Sequence, residues 1–303
     1  MKTSLIQKAI NVLEDAHFRV SDCSIVRSCF DILARRDDTI LLIKILPNIE
    51  GLNHKSALEL KNVAVVMSGI PLIIGDHTKN SILSPDVIYT RYDIHVVNID
   101  AFAGILSGRI PSIYSIRGNY CMRIDSRLLS NIRKKLNMTQ EELAYQLGVS
   151  KQSIYRYESS GRISLNIAEK LMEFLKEDIM VPSDIFTLEI NCLENEISTF
   201  MTDLKRMVLR EFKNIGLDTS LTNAPFDILA REREHHEKIL TIVSDDCEGL
   251  KRKVEIIKDI SEITGCYKVC ISNRARDLDV LVIRPKELSE IKEVSEFMEL
   301  LVD

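Results

Sequence analysis

The chain has 303 residues, room for two or three domains, with 45% hydrophobic and 28% charged residues and a formal net charge of −5. That balance fits a folded globular protein, and the lack of any run of about 18 apolar residues excludes a helical membrane span. The acidic total argues against a polyanionic partner unless the charge is unevenly spread.

In chain order, MKTSLIQKAINVLEDAHF lacks the apolar core and cleavage site of a secretion signal. Leu5, Ile6, Ala9, Ile10 and Leu13 share one face, which predicts a helix over 3–15. Strands are predicted near 18–20, at FDILAR (30–35) and at TILLIKIL (39–46), with Asp37 and Asp38 in the loop between the last two. A helix over 52–67, a strand at PLIIG (71–75) and weaker strands near 87–89 and 95–97 follow. In YSIRGNYCMRI, Gly118-Asn119 between alternating residues signals a hairpin that would brace what comes next.

The charge is indeed uneven. Between residues 117 and 162 nine basic residues face four acidic ones, +5, which leaves −10 for the remainder. One face suited to a polyanion is thus set between acidic flanks. Within this stretch Leu128, Leu129, Ile132 and Leu136 recur at helical spacing. Thr139 with Glu142 three residues on forms a capping box for a second helix, whose inner face is Leu143, Ala144 and Leu147. Gly148 supplies a left-handed turn and Ser150 caps a third helix with Ile154 and Tyr157 inward. Ser164 starts a fourth helix, with Ile167, Leu171 and Phe174 or Leu175 inward. A short helix, a glycine turn and a second helix across it make a helix-turn-helix.

Beyond it, residues 182–216 show Leu188, Leu193, Ile197, Phe200, Leu204, Met207 or Val208 and Phe212 at helical spacing, a helix expected to pack on the segment that follows, with a dimer helix as the alternative. FDILAR then recurs at 226–231. Both copies lead to EGL (50–52; 248–250), a helical stretch, Ser68-Gly69 or Thr264-Gly265, and a strand-like run, PLIIG or YKVCIS. The shared order predicts an internal repeat of one α/β unit. The seven cysteines include no C-x-x-C pair, and Cys266 and Cys270 lie in an apolar run, so they read as buried reduced thiols of a cytoplasmic protein. His235-His236 reads as a solvated loop.

The stretch TQEELAYQLGVSKQSIYRYE closely resembles the lambda-repressor-like, or XRE, family; YESSG carries one more serine than the usual Glu-x-Gly. The resemblance implies that Gln140 hydrogen-bonds a DNA phosphate, and that Lys151, Gln152, Ser153 and Arg156 face outward near the start of the recognition helix. Independently, residues 152 and 156 are four apart and share a face. Gln152 suits adenine, Arg156 or Lys151 suits guanine, and Tyr155 could touch a thymine methyl or the backbone. Arg162 and the cluster Arg133, Lys134 and Lys135 would contact phosphates, with Glu158 an internal anchor.

The α-β-β-β-α-β order of the first copy resembles the restriction-endonuclease-like fold, also seen in archaeal Holliday-junction resolvases. There an Asp and a (D/E)-x-K hold a divalent metal. Asp31 and Lys44 fit two of those positions, but Leu42 stands where the second acid should be; in the second copy Asp227 remains beside Leu240 and Ile242. A degenerate unit without catalysis, metal or cofactor is the expectation. The whole plan resembles an archaeal family of XRE-type transcriptional regulators.

The expected architecture is therefore multidomain, α/β plus all-α. It has a nuclease-like domain (1–108), a hairpin connector (109–124), a helix-turn-helix domain (125–181, motif 139–158) and an α/β domain repeating the first (182–303). The expected partner is double-stranded DNA, read by a homodimer with no enzymatic activity and no membrane association. A targeted metal-dependent nuclease or resolvase, and an adaptor to the basal transcription machinery, are the alternatives.

Overall fold

The computed structural model describes residues 2–116, 118–182, 185–186 and 201–302, apart from the side chains of 247 and 248. The chain divides into two compact units, one made of Met1–Ile73 with Glu189–Asp303 and the other of Ile74–Leu188.

In the first segment, α1 (Lys2–Asp15) buries Leu5, Ile6, Ala9 and Leu13. It leads to β1 (Arg19–Asp22), β2 (Ile32–Arg36) and β3 (Thr39–Ile45), an antiparallel meander. Asp37 takes a positive φ of 52° in the β2–β3 turn, as expected of an Asp there. After a short 3-10 turn, α2 (His54–Met67) starts at Asn53, whose side chain accepts from the Ser56 N–H, and β4 (Ile70–Ile74) lies beside β3.

The second unit begins with β5 (Val87–Arg91) and β6 (Ile94–Val97), an antiparallel pair, then α3 (Ile99–Leu106). The hairpin at Gly118 is formed by β7 (Ile113–Ile116) and β8 (Asn119–Arg123), with Gly118 at φ 82°. Because β5 pairs in parallel with β7, the strands read near 87–89 and 95–97 sit in the same unit as the hairpin. Four helices follow: α4 (Ser126–Lys135), α5 (Gln140–Leu147), α6 (Lys151–Ser160) and α7 (Leu165–Leu175). Between α6 and α7 lies β9 (Arg162–Ser164), which adds a third strand to the hairpin through β8. The helices close on Leu129, Ile132, Leu143, Ala144, Leu147, Ile154, Ala168 and Leu171. Leu136 is half exposed because α4 ends at Lys135 and Asn137 turns the chain at φ 55°; at the open alternative, Leu175 is buried and Phe174 is not.

The last segment belongs to the first unit. Of the stretch 182–216, α8 (Asp203–Asn214) buries Val208 and Phe212, while Leu188, Leu193, Ile197 and Phe200 lie outside the described residues. Then come β10 (Asp218–Leu221), β11 (Ile228–Arg231), β12 (Lys238–Val243), α9 (Cys247–Thr264) and β13 (Tyr267–Ile271). A two-residue β14 (Val282–Ile283), α10 (Pro285–Glu290) and α11 (Val294–Val302) complete it. The sheet order is β10-β11-β12-β13-β14, antiparallel for the first three strands and parallel for the last three.

The hydrogen bonding at the two FDILAR strands is the same. The Asp31 N–H donates to the Ile43 carbonyl and its Oδ2 accepts from the Ile45 N–H at 2.8 Å. The Asp227 N–H donates to the Thr241 carbonyl and its Oδ2 accepts from the Val243 N–H at 3.0 Å. Each Asp thus fastens the start of its strand to the end of the next, and Phe30 and Phe226 are both fully buried.

Within this unit the two segments also hold each other. Arg35 Nη1 donates to the carbonyls of Ile263 (3.2 Å) and Thr264 (3.0 Å) at the end of α9. Lys238 Nζ reaches Ser68 Oγ, the C-cap of α2, at 3.1 Å. Each segment sends a cation to the C-terminal end of the other's helix, where unpaired carbonyls and the helix dipole favour it. The Cys29 N–H donates to the Asn223 carbonyl at 2.6 Å and Asn223 Nδ2 to Glu59 at 3.2 Å.

Candidate nucleic-acid interface

Local signals set the α5–α6 corner. The Thr139 hydroxyl accepts from the Glu142 N–H at 3.2 Å and Glu142 Oε2 accepts from the Thr139 N–H at 2.7 Å, closing the capping box. Gly148 adopts φ 67°, ψ 37°, and the Val149 N–H returns to the Ala144 carbonyl at 3.0 Å. Ser150 then accepts from the Ser153 N–H at 3.2 Å to begin α6. Burial of Ile154 and Tyr157 orients this helix, leaving Lys151, Gln152, Tyr155 and Arg156 exposed; Tyr155 is 62% exposed. A large aromatic surface on a cationic helix end is what base edges and phosphates can use.

Two predicted residues are occupied otherwise. Ser153 belongs to the helix cap: its hydroxyl lies 2.9 Å from that of Ser150 and accepts from Arg156 Nη2 at 3.3 Å. Gln140 donates its Nε2 to Glu158 Oε2 at 2.7 Å, so its amide is turned toward α6. Lys151 pairs with Glu141 at 3.6 Å, an exposed contact that solvent screens and a phosphate can displace.

Arg133 is corrected from a phosphate contact to a structural residue. Only 9% exposed, it donates Nε to Glu158 Oε1 at 2.6 Å, Nη2 to Oε2 at 3.1 Å and Nη1 to the Met138 carbonyl at 2.7 Å. The planar fork of a guanidinium matches a carboxylate in this bidentate way. Glu158 is thereby the internal anchor expected of it, tying α4, the start of α5 and α6 together. Burial opposes its ionisation, but the bonds from Arg133 and Gln140 and the Arg133 charge outweigh that and hold the carboxyl below its usual range. Lys134 and Lys135 remain exposed on the last turn of α4.

Arg162 is exposed on β9, directly after the left-handed cap Gly161, and is register-paired with exposed Arg123 on β8. Arg123 was not singled out from sequence; its place in the alternating pattern of the hairpin was the available signal. Gly161 is required where it stands. It takes φ 66°, its carbonyl accepts from the Ile124 N–H at 2.8 Å, and a Cβ there would lie 2.5 Å from the Ile124 carbonyl oxygen. The extra serine of YESSG therefore lengthens α6 before the same glycine cap.

The nuclease-like positions tell a different story. Asp31 is buried with Lys2 Nζ at 2.9 Å and Lys44 Nζ at 3.4 Å, and Lys44 also donates to the Ser28 carbonyl at 2.7 Å. Leu42 is fully buried. Asp227 is likewise buried, with Lys205 at 2.7 Å and Lys253 at 3.3 Å. Among the described residues no three His, Cys, Asp or Glu side chains gather as a metal would need. One carboxylate already bonded to two ammonium groups and a backbone N–H does not fit a divalent ion, which needs several oxygen ligands.

Among the described residues, Cys23, Cys29, Cys121, Cys266 and Cys270 are free and buried. Burial pushes the Cys29 and Cys270 thiols up to about 12, so they are inert core groups. Among the described residues no helix is long and apolar enough to cross a membrane.

Comparison with known proteins gives two matches within the chain: residues 2–111 to the PD-(D/E)XK superfamily domain and residues 129–180 to the helix-turn-helix family. A relative in Methanocaldococcus jannaschii, named "Putative HTH-type transcriptional regulatory protein", is 30% identical over 99% of this chain and 96% of its own. Relatives of the same description in Pyrococcus furiosus (30%, 99% and 96%) and Archaeoglobus fulgidus (29%, 99% and 98%) are similar over as much. No solved structure matches.

Proposed function

This chain belongs to the archaeal family of HTH-type transcriptional regulators, and on that premise we propose that it binds double-stranded DNA with α6 in the major groove. It is a DNA-binding transcriptional regulator. The observation that carries the docking is the exposed row Lys151, Gln152, Tyr155 and Arg156 on a helix whose opposite side is buried at Ile154 and Tyr157. Gln152 and Arg156 read bases, while Lys151, Arg162 and Arg123 contact phosphates. Gln140 orients the helices through Glu158 instead of reaching the DNA with its side chain.

The flanking segments, 1–108 and 182–303, are two copies of one nuclease-like unit around the hairpin 109–124 and the reading domain 125–181. The shared Asp clamp and the exchanged helix-end cations support this. Both copies are non-catalytic, because lysines neutralise Asp31 and Asp227. The protein works in the cytoplasm as a homodimer. Since the repeats engage each other inside one chain, the two-chain contact belongs to the helix-turn-helix unit. Contact with the basal transcription machinery through the acidic α/β segments is a second reading, favoured by the −10 carried outside residues 117–162.

Selection of bound sequences from random duplex DNA, with Mg²⁺ or Mn²⁺ present, tests the reading in one tube. A defined site should emerge with the DNA intact. Cleavage that vanishes in Asp31→Ala would restore the nuclease, and the absence of any selected site would remove the docking face.

A further inference from the structure

A groove of about 680 Å³ lies in the last segment, away from the residues assigned to DNA. One wall is α11, where Val294, Met298 and Val302 are spaced by four and line the groove as one stripe. The same helix sends fully buried Phe297 into the core, and Val294 and Met298, packed at the edge of that core, are only partly covered. Val302, at the end of the stripe, is 70% exposed. Such exposure on one short helix marks a contact surface when a charged rim surrounds it.

The rim here is of one sign. Glu232, Glu234 and Glu237 come from the β11–β12 connection and Glu299 from α11. The Glu232 carboxylate accepts the N–H groups of Glu234 and His235, which hold it below its usual range and keep it charged. Glu237 accepts from the Tyr267 hydroxyl at 3.3 Å, and its charge raises that hydroxyl so that the proton stays on the tyrosine. The neighbouring cations are directed elsewhere. Arg233 and Arg231 go to Asp218, at 2.9 and 3.7 Å, and Lys238 goes to Ser68. Among the described residues none of the four carboxylates has a Lys or Arg partner. His235 is the one basic side chain lining the groove.

We propose that this groove is a docking site for a basic amphipathic helix of a protein partner, its apolar side on the α11 stripe and its Lys or Arg residues on Glu234, Glu237 and Glu299. The stripe spans the nine residues Val294–Val302, ~12 Å from first to last, which matches about two turns of a partner. DNA is the wrong occupant, because unpaired carboxylates repel phosphates. A second copy is a poor one, since α4 and α8, basic amphipathic helices among the described residues, have their apolar sides buried within the chain. The inference goes beyond DNA binding and stands independently of it.

The test uses the full chain and a labelled peptide of about 12 residues of Leu and Lys, patterned to be amphipathic as a helix. A scrambled peptide of equal composition and a Leu/Glu counterpart serve as controls. By fluorescence anisotropy at near-physiological salt the patterned peptide should bind about tenfold more tightly than the scrambled one. The double variant Glu234→Lys/Glu299→Lys should lose about that factor and gain affinity for the Leu/Glu peptide, with DNA binding unchanged. Both positions are exposed, so the fold is retained, and circular dichroism checks it. Met298→Asp should weaken the peptide without reversing its charge preference. Equal binding of patterned and scrambled peptides, or no effect of charge reversal, would overturn the proposal. So would a doubled mass in light scattering that Met298→Asp abolishes, which would assign the face to a second copy.

Discussion

Arg133 and Arg156, 23 residues apart in the sequence, carry opposite duties. Arg156 is exposed beside Gln152, and among the described residues its guanidinium is hydrogen-bonded to Ser153, a contact that leaves it available to a base. Arg156→Ala should weaken the best site by ~1–3 kcal/mol and relax specificity at one base pair, read by competition binding against single-base variants. Arg133 is a structural tie. Its loss leaves Glu158 buried without its partner, so Arg133→Ala should lower stability by about 3 kcal/mol in urea titrations. The pair also fixes a pH dependence. The folded-state pKa of Glu158 lies below the usual 4.5, so its stabilisation is fully present above about 4.5 and is lost as the pH falls through the lower, folded-state value. Urea midpoints should drop over that acid range, and the drop should shrink in Glu158→Gln. The sequence displays both arginines as charges in one basic stretch. Nothing local distinguishes them, because the partner that buries Arg133 is 25 residues away.

Elements whose signals are local are legible from sequence. The capping box at Thr139, the left-handed Gly148 and the Ser150 cap each lie within a few residues of what they start or stop, and the α4–α7 bundle follows from them. The TILLIKIL strand is an apolar run and FDILAR a short mixed one, legible for the same reason, although the strands at FDILAR begin at Ile32 and Ile228, after the Phe-Asp pair. What is not legible is made by pairing. β9 has three residues and β14 has two, and each is a strand only because a neighbour supplies its hydrogen bonds. The β9 end of α6 depends on Gly161, where both the positive φ and the approach of Ile124 exclude a side chain. Gly161→Ala should cost ~1–3 kcal/mol in thermal or urea unfolding. It should also weaken DNA binding, because α6 and Arg162 lie on either side of that residue. A change in binding without a change in stability would contradict this account.

At the scale of the whole molecule, one reading helix per chain meets a site that is usually read in pairs. The selected sequence should be an inverted repeat with half-site centres ~10 bp apart or a multiple of it. Light scattering at micromolar concentration should give the mass of two chains, and a single unrepeated site with a one-chain mass would sink the homodimer. The proposed duplication rests, in the sequence, on a shared hexapeptide; the grip of Arg35 on α9 and of Lys238 on α2 leaves no such mark, since the contacting residues are some 170 to 230 positions apart.

The two aspartate clamps have a consequence for how the molecule can change. In a dimer of identical subunits every substitution is made twice, and both halves must tolerate it. Written into one polypeptide, as the proposed duplication has them, the halves are released from that rule. The clamp at Asp31 takes a lysine from its neighbouring strand, Lys44, whereas the clamp at Asp227 takes Lys253 from a helix, with Ile242 left in the strand position. The glutamate-rimmed groove lies in the later half. One half can be kept as scaffold while the other acquires a new surface, and a single gene fixes their ratio at one to one.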